Sequence, residues 1–302
     1  MDDATLAGAA AETQIFAKLS PEQKARVIAA LQQAGHVVGF LGDGINDGPA
    51  LKAADVGISV DTAVDITKDS ADIILLEKSL HILGAGVIEG RRTFANIIKY
   101  IRMGASSNFG NMFSVLGASV LLPFLPMAPL QVLVNNLLYD VSQTPIPTDN
   151  VEPEELATPR KWEIGNIARF MLFVGPISSI FDYATFFTML YVFHAWENPS
   201  LFQTGWFVES LLTQTLIIHI IRTRRIPFIQ SRASTPLILT TLVVCAAGSA
   251  LPFTAPVHAL GFTPLPWAYW PIIAVFLIGY AVLAHLATVW FHRRYGQQGR
   301  AQ

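Results

Sequence analysis

Two aspartates, Asp43 and Asp47, stand four residues apart in the stretch Gly42-Asp43-Gly44-Ile45-Asn46-Asp47-Gly48-Pro49-Ala50-Leu51. Carboxylates at that spacing on a turn can share one hard cation. Gly42, Gly44 and Gly48 let the backbone bend tightly and come close to a ligand. Gly-Asp-Gly by itself is a common surface turn. A calcium loop would need more oxygen ligands than the apolar residues on either side supply. Taken with its surroundings, the stretch reads as a site for phosphate and magnesium. Lys24, in the upstream string Leu19-Ser20-Pro21-Glu22-Gln23-Lys24, would be an ordinary surface lysine without that downstream loop.

The elements that must position these residues are short. Val37–Leu41 reads as a buried strand leading into the loop, and Ala50–Ala54 as a short helix with Pro49 in its early turn. Gln23–Gln33 carries apolar residues at Ala25, Val27, Ile28 and Leu31, one helical face that closes before Gly35. Val56–Ser59 and Ile73–Leu76 are further strands. Strands alternating with helices predict a parallel sheet with ligands at the strand tips. This α/β part is expected to occupy residues 1–90.

The remainder, 91–302, is of another kind. The 302 residues are 52% hydrophobic and 14% charged, with a formal net charge of -2. That balance suits a membrane protein with a modest polar part and offers no basic stripe for nucleic acid. A composition change falls near Lys99–Met103. Beyond it, apolar runs predict six membrane helices near 103–125, 130–146, 167–194, 202–221, 235–251 and 270–291, since about 20 residues cross the hydrocarbon. The second is short and polar, as a helix unwound around an ion would be. Trp162, Trp196, Trp206, Trp267, Trp270 and Trp290 fall near segment ends, where interfacial aromatics belong. Basic residues gather at Lys99 and Arg102, at Arg160, Lys161 and Arg169, at Arg222, Arg224, Arg225 and Arg232, and at Arg293, Arg294 and Arg300. The alternate connections hold none, so both termini are expected to be cytoplasmic. The arginine groups offer charge to anionic lipid headgroups. Met1-Asp2-Asp3 opens no signal-peptide pattern, and the lone Cys245 lies in an apolar run, where it packs.

The loop resembles the hinge motif of P-type ATPases, cation pumps that form an aspartyl-phosphate, and Pro21 with Lys24 is similar to their Pro-x-x-Lys element. Ser106-Ser107-Asn108-Phe109-Gly110-Asn111, Asn136-Leu137-Leu138-Tyr139-Asp140 and the run Arg222–Arg232 resemble the magnesium-transporting branch. The resemblance implies α/β plus membrane all-α: a partial haloacid-dehalogenase-like, Rossmann-like phosphorylation domain followed by six transmembrane helices. It implies that Asp43 is the principal ligand of a catalytic Mg²⁺, joined by Asp47. Asn46 and Asp47 would position phosphoryl group, water and metal, with Gly44 close to the bound group. Lys24 would balance charge on the phosphoryl oxygens. The family's Asp-Lys-Thr-Gly-Thr loop does not occur in this sequence. The nucleotide insertion that binds ATP is also missing, so the chain is expected not to hydrolyse ATP alone.

Asn108 and Asn111 are three apart and Asn136 and Asp140 four apart, so each pair shares a helix face. The resemblance implies that all four line a path for the transported ion, with Asn111 where calcium pumps carry glutamate. One acid with amide oxygens fits Mg²⁺, which keeps part of its water shell. It also fits a proton pump. Asp182 and Glu209, deeper in later spans, are open to helix pairing, lipid-interface placement or transport. The expected function is therefore the C-terminal part of a Mg²⁺-importing ATPase of a bacterial inner membrane. The alternatives are part of a proton or calcium pump, or a non-catalytic partner of an intact one.

Overall fold

The computed structural model describes residues 2–159, 162–254 and 260–295. Arg160, Lys161 and Arg300, used above for orientation, lie outside them. The chain divides into two units, Met1–Glu89 and Gly90–Gln302.

In the first unit, α1 (Asp3–Glu12) is capped by Asp2. Ser20 then starts α2 (Pro21–Gln33). Its hydroxyl accepts from the Gln23 N–H, while Gln23 Oε1 accepts from the Ser20 N–H. This reciprocal cap, with Pro21 in the first turn, starts the helix two residues before the periodicity does. Three strands follow, β1 (Gly39–Leu41), β2 (Val56–Val60) and β3 (Ile73–Leu75), all parallel in the order β1-β2-β3. The register pairs Gly39 with Val56 and Ile58 with Ile73. The crossovers are α3 (Gly48–Ala53) and α4 (Asp65–Lys68). β2 is central and buried from Gly57 onward. Gly57 lies so close beneath α3 that a Cβ would stand 2.8 Å from the Leu51 carbonyl oxygen. Val27, Ile28, Ala50, Leu51, Ile58 and Val60 make the core. β1, expected as a buried strand, is instead an edge strand with Gly39 and Leu41 exposed, because β2 takes the central place.

α5 (Leu80–Leu121) is one 42-residue helix, so the composition change at Lys99–Met103 does not break it. The second unit adds α6 (Pro129–Gln143), α7 (Pro153–Leu156), α8 (Ile164–Val174), α9 (Pro176–Phe187), α10 (Pro199–Ile221), α11 (Thr235–Ala250) and α12 (Tyr269–Tyr295). Pro176, which has no N–H to donate, divides α8 from α9, and a π turn at Thr188–Val192 closes that segment. α10 is buried on nearly every face, as befits a helix apolar all round at the centre of a bundle. Leu239, Leu242 and Val243 on α11, and Val275, Ile278, Val282 and Leu286 on α12, are exposed.

Six spans were expected. Among the described residues, four segments are long and apolar enough to cross a membrane: Ile164–Val192, Pro199–Ile221, Thr235–Phe253 and Tyr269–Tyr295. The first two expected spans fall short for different reasons. α5 is long, but serine, asparagine and glycine dilute its apolar part. α6 has 15 residues, about 22 Å at 1.5 Å per residue against ~30 Å of hydrocarbon. It is also regular throughout rather than unwound. Trp206, expected at a segment end, is the eighth residue of α10 and is buried among the helices.

On α5, Gly110 permits a close helix crossing. A Cβ there would lie 2.6 Å from the Gly175 carbonyl oxygen and closer still to Ser178 Oγ. Ser179 Oγ donates to the Gly110 carbonyl at 2.9 Å, and Tyr183 OH to that of Phe113 at 2.8 Å.

Candidate functional site

In the first unit, β1 delivers the chain to Gly42, whose N–H donates to the Ile58 carbonyl at 3.0 Å. The buried Ser59 hydroxyl donates to the Gly42 carbonyl at 2.9 Å, so the neighbouring strand fixes where the loop begins. A short 3₁₀ turn, Ile45–Asp47, then leads into α3. Gly42 has to be glycine, because its Cβ would stand 2.6 Å from that of Asp47. The Asp47 carboxylate folds back over the loop. Oδ2 accepts from the Gly44 N–H at 3.1 Å, and Oδ1 meets Lys24 Nζ at 2.7 Å. Thr67 Oγ1 donates to the Gly44 carbonyl at 3.0 Å.

Lys24, Gly44 and Asp47 are thus brought together. Asp43 turns elsewhere. It is exposed, and its Oδ2 meets Lys78 Nζ at 2.5 Å. The Lys78 ammonium, by hydrogen bond and charge, holds the Asp43 carboxyl below the usual carboxylate range. Asn46 is exposed. A groove of about 950 Å³ runs beside the loop, with Lys24, Asp43, Asp47 and Lys78 on its walls and Val27, Ile28, Leu31 and Phe40 among its apolar lining. Lys78 was missed from sequence, since it stands 35 residues from Asp43 and only the sheet joins them.

The exposed carboxylate of Asp43 is the kind of donor a magnesium ion takes. Mg²⁺ takes one or two carboxylates and keeps several waters. Asp43 faces solvent beside a position that already accepts a positive charge, the Lys78 ammonium. Asp47, both of whose oxygens serve the loop and Lys24, is a weaker ligand as folded here. Among the described residues, no group of three or more His, Cys, Asp or Glu side chains gathers into a metal site.

In the second unit, no hydrogen bond or ion pair joins the four expected ion residues among the described residues. Asn108, Asn136 and Asp140 are exposed and Asn111 is half-buried. Asp140 lines a cavity of about 460 Å³ with Thr93, Asn96, Tyr100, Gln143 and Thr144. The buried asparagine of α6 is the neighbour, Asn135, which donates to the Phe207 carbonyl at 3.1 Å.

Sequence reasoning also missed a buried ionic knot after α6. Asp149 Oδ2 meets Lys99 Nζ at 2.9 Å and Arg222 Nε at 2.8 Å, while its Oδ1 accepts from the Ser234 N–H at 3.0 Å. Burial alone would raise the Asp149 pKa. The Arg222 hydrogen bond and the charges of Lys99 and Arg222 outweigh it, and the carboxyl lies below its ordinary value. Arg224 and Arg225 pair with Glu155 and Glu154. Part of the arginine charge set aside for lipid is therefore spent within the protein.

A family model described as the C-terminus of cation-transporting ATPases matches residues 124–290, and one described as haloacid dehalogenase-like hydrolase matches residues 3–55. The chain belongs to the cation-transporting P-type ATPases. Within that family it is 58% identical over 300 residues to a magnesium-transporting ATPase, P-type 1, of Salmonella typhimurium (strain 14028s / SGSC 2262), covering 99% of this chain and 33% of that protein. A protein of the same name from Escherichia coli (strain K12) matches with the same identity and coverage. A calcium-transporting ATPase of Bacillus subtilis (strain 168) is 30% identical over 269 residues, or 85% of this chain and 30% of that one. The chain spans about a third of the length of the curated relatives it matches.

Proposed function

We propose that this chain forms the C-terminal third of a pump that couples turnover of an aspartyl-phosphate to Mg²⁺ import across a bacterial inner membrane. The observation that carries this reading is the strand-tip loop, in which Lys24, Gly44 and Asp47 form one hydrogen-bonded unit beside an exposed Asp43 paired with Lys78. The exposed edge of β1 and the adjoining groove suit a further parallel strand bearing the phosphorylated aspartate. Asp43 would hold a catalytic Mg²⁺, which neutralises phosphoryl charge when bound. Asp47 fixes the loop backbone and orients Lys24, whose ammonium can turn from Asp47 to a phosphoryl oxygen. Exposed Asn46 offers its amide to the same group. ATP would be bound mainly by parts of the pump outside this chain. The identity to magnesium-transporting relatives, well above that to the calcium-transporting one, favours Mg²⁺ as cargo.

In the membrane unit, we assign Asp140, with Asn108, Asn111 and Asn136, to the transport path. In the full-length pump, Asp140→Asn is expected to abolish magnesium-dependent rescue of a transport-deficient strain while phosphoenzyme still forms. Normal Mg²⁺ uptake by that variant would leave Asp140 a structural acid, and uptake of Ca²⁺ by the unmodified pump would favour the calcium reading.

Six spans with both ends cytoplasmic remain the preferred topology, with α5 and α6 completed as spans by neighbouring helices of the whole pump. The basic residues between α10 and α11 support it. With Cys245 replaced by serine, a cysteine at Glu197 should react with a membrane-impermeant thiol reagent added outside cells, and one at Arg224 should not. The reverse pattern would invert the topology. Ala259, at the third uncharged connection, lies outside the described residues.

A further inference from the structure

Asp182 on α9 and Glu209 on α10 are both buried, at 2% and 0% exposure, and their surroundings differ in kind. Asp182 is furnished as a carboxylate. Oδ1 accepts from Trp206 Nε1 at 2.7 Å and Oδ2 from Ser114 Oγ at 2.6 Å. Glu209 has neither oxygen matched to a donor. The Thr213 hydroxyl acts on it but donates to the carbonyls of Glu209 and Ser210. Tyr269 also faces the pair, and its hydroxyl donates to the Gly205 carbonyl at 2.8 Å. Tyr280 faces it from α12. Among the described residues no lysine, arginine or histidine pairs with either carboxyl, and Asp182 and Glu209 lie close enough to act on one another.

Two charged carboxylates side by side in the buried interior, with no lysine, arginine or histidine paired to either among the described residues and donors for only one, would be prohibitively costly. One proton resolves the arrangement. We propose that Asp182 and Glu209 form a proton-binding site, separate from the Asp140 set, in which Glu209 carries the proton and presents it to the Asp182 carboxylate. The net charge of the pair is then minus one, and Trp206 and Ser114 stabilise it through hydrogen bonds to Asp182. A divalent cation fits less well, because the Trp206 N–H and Ser114 O–H already point at both oxygens of Asp182, where a metal would need them free. The inference does not depend on which ion the pump moves.

The test uses the whole 302-residue chain in lipid, followed by infrared spectroscopy at neutral pH. A carbonyl-stretch band of a protonated carboxylic acid, shifted by exchange into D₂O, is expected. Glu209→Gln should remove it, and Asp140→Asn and added Mg²⁺ should leave it in place. Thermal unfolding separates the two acids. Glu209→Gln puts a neutral amide where a neutral acid stood and should leave the transition near that of the parent. Asp182→Asn sets an amide N–H against the donors Trp206 or Ser114 and should lower it by several degrees. The proposal fails if no protonated-acid band is present, if the band survives Glu209→Gln, if Mg²⁺ abolishes it, or if Glu209→Gln destabilises the chain as much as Asp182→Asn.

Discussion

Replacing Asp43 by asparagine in the full-length pump is expected to lower ATP turnover by on the order of 10²–10³, with little change in folding. Asp43 is exposed, and its partner Lys78 is an exposed lysine on the far side of an ion pair that solvent screens. Removing the charge should therefore leave the loop standing, because Asp47, Ser59 and Thr67 hold its backbone. What is lost is the carboxylate that would hold the metal at the phosphoryl group. Phosphate release and circular dichroism, measured on the same preparation, check both halves. Wild-type turnover would reduce Asp43 to a turn residue. A variant that failed to fold would mean that the Lys78 contact matters more than its exposure suggests.

The second large effect concerns stability. Asp149→Ala should destabilise the membrane unit by about 3–5 kcal/mol, the usual cost of stranding buried charges. Lys99 and Arg222 would both lose their carboxylate, and the Ser234 N–H its acceptor. Thermal unfolding in detergent measures the change. Acid should act through the same residue. Folding lowers the Asp149 pKa below its ordinary 3.8, so the unfolded chain takes up the proton first. This stabilisation is complete well above pH 3.8 and is lost as the pH falls through the lower folded value. Asp149→Ala should accordingly show a weaker loss of stability over that acid range than the parent chain. Equal acid sensitivity would show that other carboxylates govern it.

The sequence made one thing plain and hid another. The loop Gly42–Leu51, the strands on either side of it and the helix bearing Lys24 were legible because they depend on local chemistry: glycine spacing, a proline in a first turn, apolar periodicity. The strands came out within two residues of their expected starts and ends. Partnerships across the fold were not legible. Nothing local announces that Lys78 meets Asp43, or that Trp206 turns inward to Asp182. Lys99 and Arg222 looked like basic flanks of membrane helices, yet they enclose Asp149. Position along the chain indicates where charge gathers but not which charges neutralise one another. At α5 and α6 the apolar runs read as spans, but the serines and asparagines of α5 dilute its apolar part and α6 has 15 residues, so among the described residues neither is one of the four segments long and apolar enough to cross a membrane.

The order β1-β2-β3 has a kinetic consequence. Each strand lies beside its predecessor in the chain, and each crossover is made by one short helix. Every pairing in the sheet therefore closes a short loop, and the entropy of bringing the strands together is modest for parallel strands. Parallel sheets fold slowly when their partners are far apart in sequence. This one can set its register, and with it the position of Gly42 and Asp43, from contacts within a few dozen residues.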